Sequence, residues 1–310
     1  MKSTTSYRLK LIGAFAAVYI IWGSTYLAIH YAIETIPPLL MAGSRFVTAG
    51  LILFVFARIR GAELPSLSDV KKSSLIGALL LLGGNGMVVL AEQTVPSGLT
   101  ALIIATEPLM IVLLGWSLPG GIRPSGRTAF GLFLGFAGMI FLIGPLSLSG
   151  NLDVDLTGAM LVVGASFSWA SGSLYASRVR TESHPLMAAA IQMLVGGVLL
   201  FLAGAVRGEM NNFTLSTVSA TSLFSVVYLL VFGSLVGFTS YSWLLREVKP
   251  SLAATYAYVN PIVAVFLGWL IAGELITQRT VIAAVVILTG VLLILTRKKE
   301  DLPPSVIEEP

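Results

Sequence analysis

The sequence predicts an all-α polytopic membrane protein of about ten transmembrane helices, arranged as two inverted five-helix repeats. Three observations predict it. Of 310 residues, 56% are hydrophobic and 11% charged, whereas an ordinary soluble domain carries about 25% charged residues, so much of the surface must face lipid. Apolar runs of about 20 residues follow one another with short polar gaps, each long enough to cross roughly 30 Å of hydrocarbon, and the alternation of a membrane barrel is absent. Proline, glycine and tryptophan also recur at constant spacing in the two halves of the chain.

The spans are placed at 11–33, 38–57, 73–92, 97–117, 128–145, 156–177, 185–206, 222–245, 251–272 and 280–296. The first follows a basic start (Lys2, Arg8, Lys10) and exceeds the roughly 7–15-residue core of a secretory signal, so it is read as a retained helix carrying Trp22. The second opens at Pro37-Pro38 and holds Arg45. The third holds Gly83-Gly84-Asn85-Gly86 and ends at Glu92-Gln93, read as solvated. The fourth is interrupted by Glu107-Pro108, an acid deep in an apolar run followed by a residue with no backbone donor. The sixth carries Trp169 and Tyr175, the seventh Gln192, and the eighth ends at Trp243, an interfacial anchor. The ninth carries Tyr256, Tyr258 and Asn260-Pro261, a second polar residue beside a helix breaker. Residues 298–310 are read as a disordered cytoplasmic tail.

Charge orients the spans. Of 19 lysines and arginines, 16 fall in segments on the side of the termini, Arg207 and Arg279 lie opposite, and Arg45 lies within a span. The positive-inside rule then makes both termini cytoplasmic. Trp22, Pro38, Arg45 and Gly50 correspond at one offset to Trp169, Pro185, Gln192 and Gly197. Pro108, Gly115 and Trp116 correspond to Pro261, Gly268 and Trp269. Five spans per half invert the second repeat, giving units 1–150 and 151–297 with a site expected at their interface.

Several function classes are disfavoured. The net charge of +4 is dispersed over loops, so no nucleic-acid partner is expected. There are no cysteines and two separated histidines, His30 and His184, so no metal site and no cofactor are expected. No catalytic cluster, phosphate loop or repeated pore filter appears, which argues against an enzyme, a nucleotide-driven pump and a channel.

The candidate site residues are Glu107, Arg45, Asn260, Tyr256, Trp22, Trp169, Asn85, Gln192 and Tyr175. Arg45 lies roughly 10 Å and Glu107 roughly 15 Å into spans of the same direction, so the two could pair as a gate or as a structural tether. The aromatic residues could wall a cavity or anchor the interface. Asn85 and Gln192 could line it or join helices. Glu107 and Asn260 are expected to face each other across it.

Taken together, Trp22-Gly23-Ser24-Thr25, Arg45-Phe46 after Pro37-Pro38, Pro96-Ser97-Gly98 leading to Glu107-Pro108-Leu109, and Asn260-Pro261 leading to Gly273-Glu274 resemble the EamA-type family of the drug/metabolite transporter superfamily. The resemblance covers about residues 10–296. One departure is Gly120-Gly121, where the family usually carries Gly-Glu at the end of the fourth helix; Glu274 is therefore expected to cap or anchor a loop. The resemblance implies an inner-membrane secondary carrier, often an exporter of amino acids, metabolites or drugs. Its partners would be a small-molecule substrate, the lipid bilayer and, if coupled, protons carried by Glu107. The alternative is an uncoupled facilitator or channel for small metabolites.

Overall fold

A computed structural model describes residues 4–118, 121, 123–143, 155–179, 181–211 and 213–295, leaving aside the side chains of 4–6, 250, 251, 258 and 295. Gly120, the 146–154 segment, the 298–310 tail and the side chain of Tyr258 therefore lie outside the described residues. Helices are the regular structure throughout these residues. Eight are long and apolar enough to cross a membrane: α1 (Tyr7–Ala32), α2 (Pro38–Ile59), α3 (Leu67–Ala91), α4 (Ser97–Ser117), α5 (Gly126–Ile143), α6 (Leu156–Arg178), α7 (Pro185–Val206) and α8 (Ala220–Glu247). Two further apolar helices are shorter: α9 (Tyr256–Ala272), preceded by a single turn at Pro250–Ala253, and α10 (Gln278–Leu295). The expected 251–272 span is thus divided by a turn at Ala254-Thr255. This break lies a turn and a half before Asn260-Pro261, and Pro261 sits inside α9.

Local chemistry sets the ends. Pro38 and Pro185 occupy first-turn positions, where a missing donor costs nothing. Ser66, Asp155 and Ser219 cap α3, α6 and α8 with side-chain oxygens. Gly61 and Gly208, each at φ 82°, stop α2 and α7 in the left-handed region that glycine tolerates best.

Helices α2 and α7 pack backbone to backbone. A side chain added at Gly43 would press on Phe201 N and Gly197 O, and one added at Gly197 would press on Val47 N and Gly43 O. Gly131 and Gly290 bring α5 and α10 together in the same way. Such close approach is how helices associate where lipid competes for apolar contact. Helix α3 packs on α6, the start of α8 on α1, and α4 on both α6 and α9. Phe133, Phe224 and Ile262 remain 66%, 76% and 60% exposed, consistent with faces turned to lipid.

Candidate functional site

Three helices leave α-helical geometry near the centre. Residues Ala17–Ile21 of α1, Ala78–Asn85 of α3 and Leu229–Phe238 of α8 are π-helical, a local widening often found at functional sites. Glycines in or beside these stretches admit large rings. A side chain at Gly84 would strike Trp169, and one at Gly237 would strike Trp22.

These features surround a cavity lined by residues of α1, α2, α3, α4, α6, α8 and α9. Among the described residues, none of α5, α7 and α10 lines it. Of the nine candidates, Glu107, Arg45, Tyr256, Trp22, Trp169 and Asn85 line it. Three do not. Asn260 is buried against α1; with its amide nitrogen turned toward acceptors, it lies 2.8 Å from Tyr19 O and 3.3 Å from Tyr256 O. Gln192 lines a separate recess with Thr181 and Arg246, and accepts from Ser242 Oγ at 3.3 Å. Tyr175 packs half-buried against the apolar core. The opposition of Glu107 and Asn260 is thereby corrected: the residue facing Glu107 is Tyr256, whose hydroxyl donates to Glu107 Oε2.

The break geometry explains this. Helix α4 stops at Ile104, turns at Ala105-Thr106 and restarts at Glu107; α9 restarts at Tyr256 after Ala254-Thr255. At both breaks a threonine bonds back to the carbonyl three residues earlier through its hydroxyl as well as its amide, Thr106 Oγ1 to Ile103 O and Thr255 Oγ1 to Leu252 O, each at 2.7 Å. Glu107 and Tyr256 are therefore the first residues after equivalent breaks.

The aromatic wall is continuous. Trp22 meets Trp169 edge to face at 5.5 Å, and Tyr256 at 5.4 Å. Tyr241 lies fully buried against this group, 5.0 Å from Trp22, with its hydroxyl 2.8 Å from Ser173 Oγ. Sequence reasoning missed Tyr241; the signal was the polar run Thr239-Ser240-Tyr241-Ser242 inside an apolar span.

The charges are incompletely satisfied. Glu107 is 1% exposed and its Oε1 has no hydrogen-bond partner. Arg45 is 5% exposed; its Nε and Nη1 have none, and its guanidinium lies 4.1 Å above the Phe46 ring. The ion pair considered from depth is not formed, because Glu107 turns one oxygen to Tyr256 while Arg45 stacks on Phe46. Asn85 Oδ1 is likewise unpartnered. Groups so placed require partners, and a cavity of aromatic walls with a few convergent polar groups is the usual form of a small-molecule site.

Outside the cavity, Glu274 accepts from Ser97 N at 2.8 Å, Ser97 Oγ at 2.6 Å and Gly98 N at 3.0 Å. It caps α4, the anchoring role read from the sequence.

A profile of the EamA-like transporter family matches residues 9–144 and 156–296. The chain belongs to the EamA-like transporter family. The uncharacterized inner membrane transporter YedA of Escherichia coli K12 is 43% identical over 287 residues, covering 92% of this chain and 90% of that protein. The uncharacterized transporter YoaV of Bacillus subtilis 168 is 28% identical, over 91% of this chain and 96% of its own length. A probable amino-acid metabolite efflux pump of Escherichia coli K12 is 26% identical, over 88% and 90%. A crystal structure at 19% identity shares the fold, with a TM-score of 0.63 over 92% of this chain and 96% of that one. This EamA-like transporter is accordingly a multi-pass membrane protein whose central cavity is built largely from residues legible in its sequence.

Proposed function

We propose that this EamA-like transporter is a secondary exporter of small organic metabolites in the bacterial inner membrane, working by alternating access and coupled to protons at Glu107. In this reading ten helices cross the membrane as two inverted repeats, 1–150 and 151–297, with cytoplasmic termini.

The observation that carries it is a carboxyl with one free oxygen and a guanidinium with two free nitrogens on one aromatic-walled cavity, with no ion pair between them. A zwitterion with a carboxylate and an ammonium group, such as an amino acid, complements both. Its carboxylate would take the free donors of Arg45, and its ammonium would take Glu107 Oε1 against the rings of Trp22 and Tyr256. An ammonium and a proton compete for the same carboxylate, and that competition is the essence of exchange. The family membership and the efflux-pump relative support export. The repeat is supported by packing that is unchanged on exchanging the halves, and five spans per half would then invert the second. Helix α2 meets α7 and α5 meets α10; α3 on α6 matches α8 on α1, and α4 on α6 matches α9 on α1.

The test has two stages. A metabolite and drug tolerance screen of overexpressing against deletion cells selects substrates, and vesicle transport follows for the best of them. In parallel, thermal stabilisation of the purified protein is compared for amino acids, their amides and their decarboxylated amines. Stabilisation by amino acids alone, lost in Arg45→Gln, is expected. Equal stabilisation by amines and amides would overturn the zwitterion reading, and transport unaffected by a proton gradient would favour an uncoupled facilitator.

A further inference from the structure

Glu92 was read as a solvated residue at a helix end, and the structure overturns this. It is 4% exposed, and neither Oε1 nor Oε2 has a hydrogen-bond partner. Its position relates it to the cavity. Asn85 and Val88 line the wall, and Glu92 follows Val88 by one helical turn, about 6 Å along the same face of α3. Tyr26 lies on the same cavity wall as Glu107.

Among the described residues no donor engages Glu92, and Arg279, on the outer side, donates to Phe141 O instead. Glu274 is within electrostatic reach, but it is an acid already holding three donors at the start of α4. On α6, packed against this part of α3, the nearest acid by sequence position is Asp155. That carboxylate is engaged by Thr94 Oγ1, Thr157 N and Gly158 N. Arg45 on α2 stacks on Phe46; Arg58 and Arg178 lie toward the opposite ends of α2 and α6. A buried carboxylate with no donor and no cation is too costly to persist bare. A proton completes it with no further ligands. A metal cation would need several more oxygens, and among the described residues no group of three His, Cys, Asp or Glu is placed to hold one.

We propose that Glu92 is a second proton-binding carboxyl, set one turn from the cavity toward its outer end, through which Glu107 exchanges protons with the outer face. None of Glu92, Tyr26 and Glu107 Oε1 bonds another directly, so cavity water bridges each gap. A proton entering at Glu92 passes through water to the Tyr26 oxygen. Tyr26 gives its own hydroxyl proton, again through water, to Glu107 Oε1, the oxygen that Tyr256 leaves free. The inference rests on the proposed coupling at Glu107 and on the proposed orientation, and its test separates the two.

The full-length protein in lipid nanodiscs is followed by infrared absorption of protonated carboxyl groups, which needs no substrate. At neutral pH two buried carboxyl bands are expected, one lost in Glu92→Gln and the other in Glu107→Gln. Glu92→Asp should shift its band instead of removing it, a readout that survives if the glutamine variant folds poorly. On transfer to heavy water, exchange of the Glu107 band should slow about tenfold or more in Glu92→Gln and in Tyr26→Phe. A spectrum unchanged by both Glu92 variants would overturn the site, and so would loss of the Glu92 band on adding sodium at fixed pH. Unslowed exchange would overturn the relay. If the unsubstituted protein shows the Glu92 band and no Glu107 band, the coupling role and the relay fail while Glu92 stands as a proton site.

Discussion

Helices α4 and α9 occupy equivalent places in the two matched halves and differ where it matters. Both break at an Ala-Thr pair and both restart with the residue that reaches the cavity, Glu107 in one and Tyr256 in the other. Glu107 is followed at once by Pro108 at the head of the new helix, whereas Pro261 comes one turn later and inside α9. The same extra turn separates the break from Gly268-Trp269. Asn260, aligned with Glu107 by its proline, is thereby carried to the α1 interface, where it ties the Tyr19 carbonyl. A repeated fold thus keeps the backbone device and assigns the chemistry separately: the first half supplies the charges, the second an aromatic donor.

The ends of these helices differ as well. Glu274 fastens the start of α4, and its counterpart in the first half is Gly121. A side chain added at Gly121 would collide with the Gly115 and Trp116 carbonyls, so the turn as folded has room for glycine and not for a glutamate. Among the described residues the latch is formed on one side only.

The largest effect that can break the comparison is at Glu107. Glu107→Gln should fold and insert, yet lose proton-driven accumulation of the screened substrate by about a hundredfold, in the range of a lost proton-transfer group. Asn260→Ala should leave accumulation within a few-fold. Vesicle transport measures both, and equal losses would show that the halves share the chemistry after all. If Glu107→Gln instead lowers the melting temperature and adding Arg45→Gln restores it, the carboxyl serves structure.

Next in size is the latch. Glu274→Ala leaves Ser97 N and Gly98 N unpaired in a buried place and should cost about 1.5–3 kcal/mol, read by thermal unfolding in detergent. Gly121→Glu should also destabilise; a gain there would mean that the missing latch is not excluded by sterics. Asn260→Ala removes an interhelical tether worth about 0.6 kcal/mol, at most roughly 2, visible as a small drop in melting temperature.

The smallest effect concerns Asp155, which caps the first helix of the second half. The Thr94 hydroxyl, followed by the Gly158 and Thr157 amides, holds its carboxyl below the usual range. A folded-state value below the unfolded one contributes stability above the unfolded value, lost as pH falls through the folded one. Asp155→Asn should therefore flatten the acid limb of the melting-temperature profile and leave neutral pH nearly unchanged. An unaltered acid limb would remove Asp155 from the account.

How much of this was legible before folding divides by physical range. Helices are local: apolar run length, first-turn prolines and capping residues act within a few residues, so the long spans and their ends could be read directly. The cavity residues Trp22, Arg45, Asn85, Glu107, Trp169 and Tyr256 were also legible, because polar or amphipathic groups in apolar runs are costly enough to stand out. Facing is not local. Each residue turns a helix by about 100°, so the position of a break decides which side chain enters the cavity. Nothing along the chain marked the break at Ala254-Thr255 in preference to Asn260-Pro261. Gln192 and Tyr175 went elsewhere for the same reason, Tyr241 was brought beneath the two tryptophans by packing, and Glu92 lost its water only when the helices packed around it. The sequence by itself determined a helical membrane protein with charge inside its spans; tertiary structure decided which charges meet, because only packing sets the rotation of one helix against another.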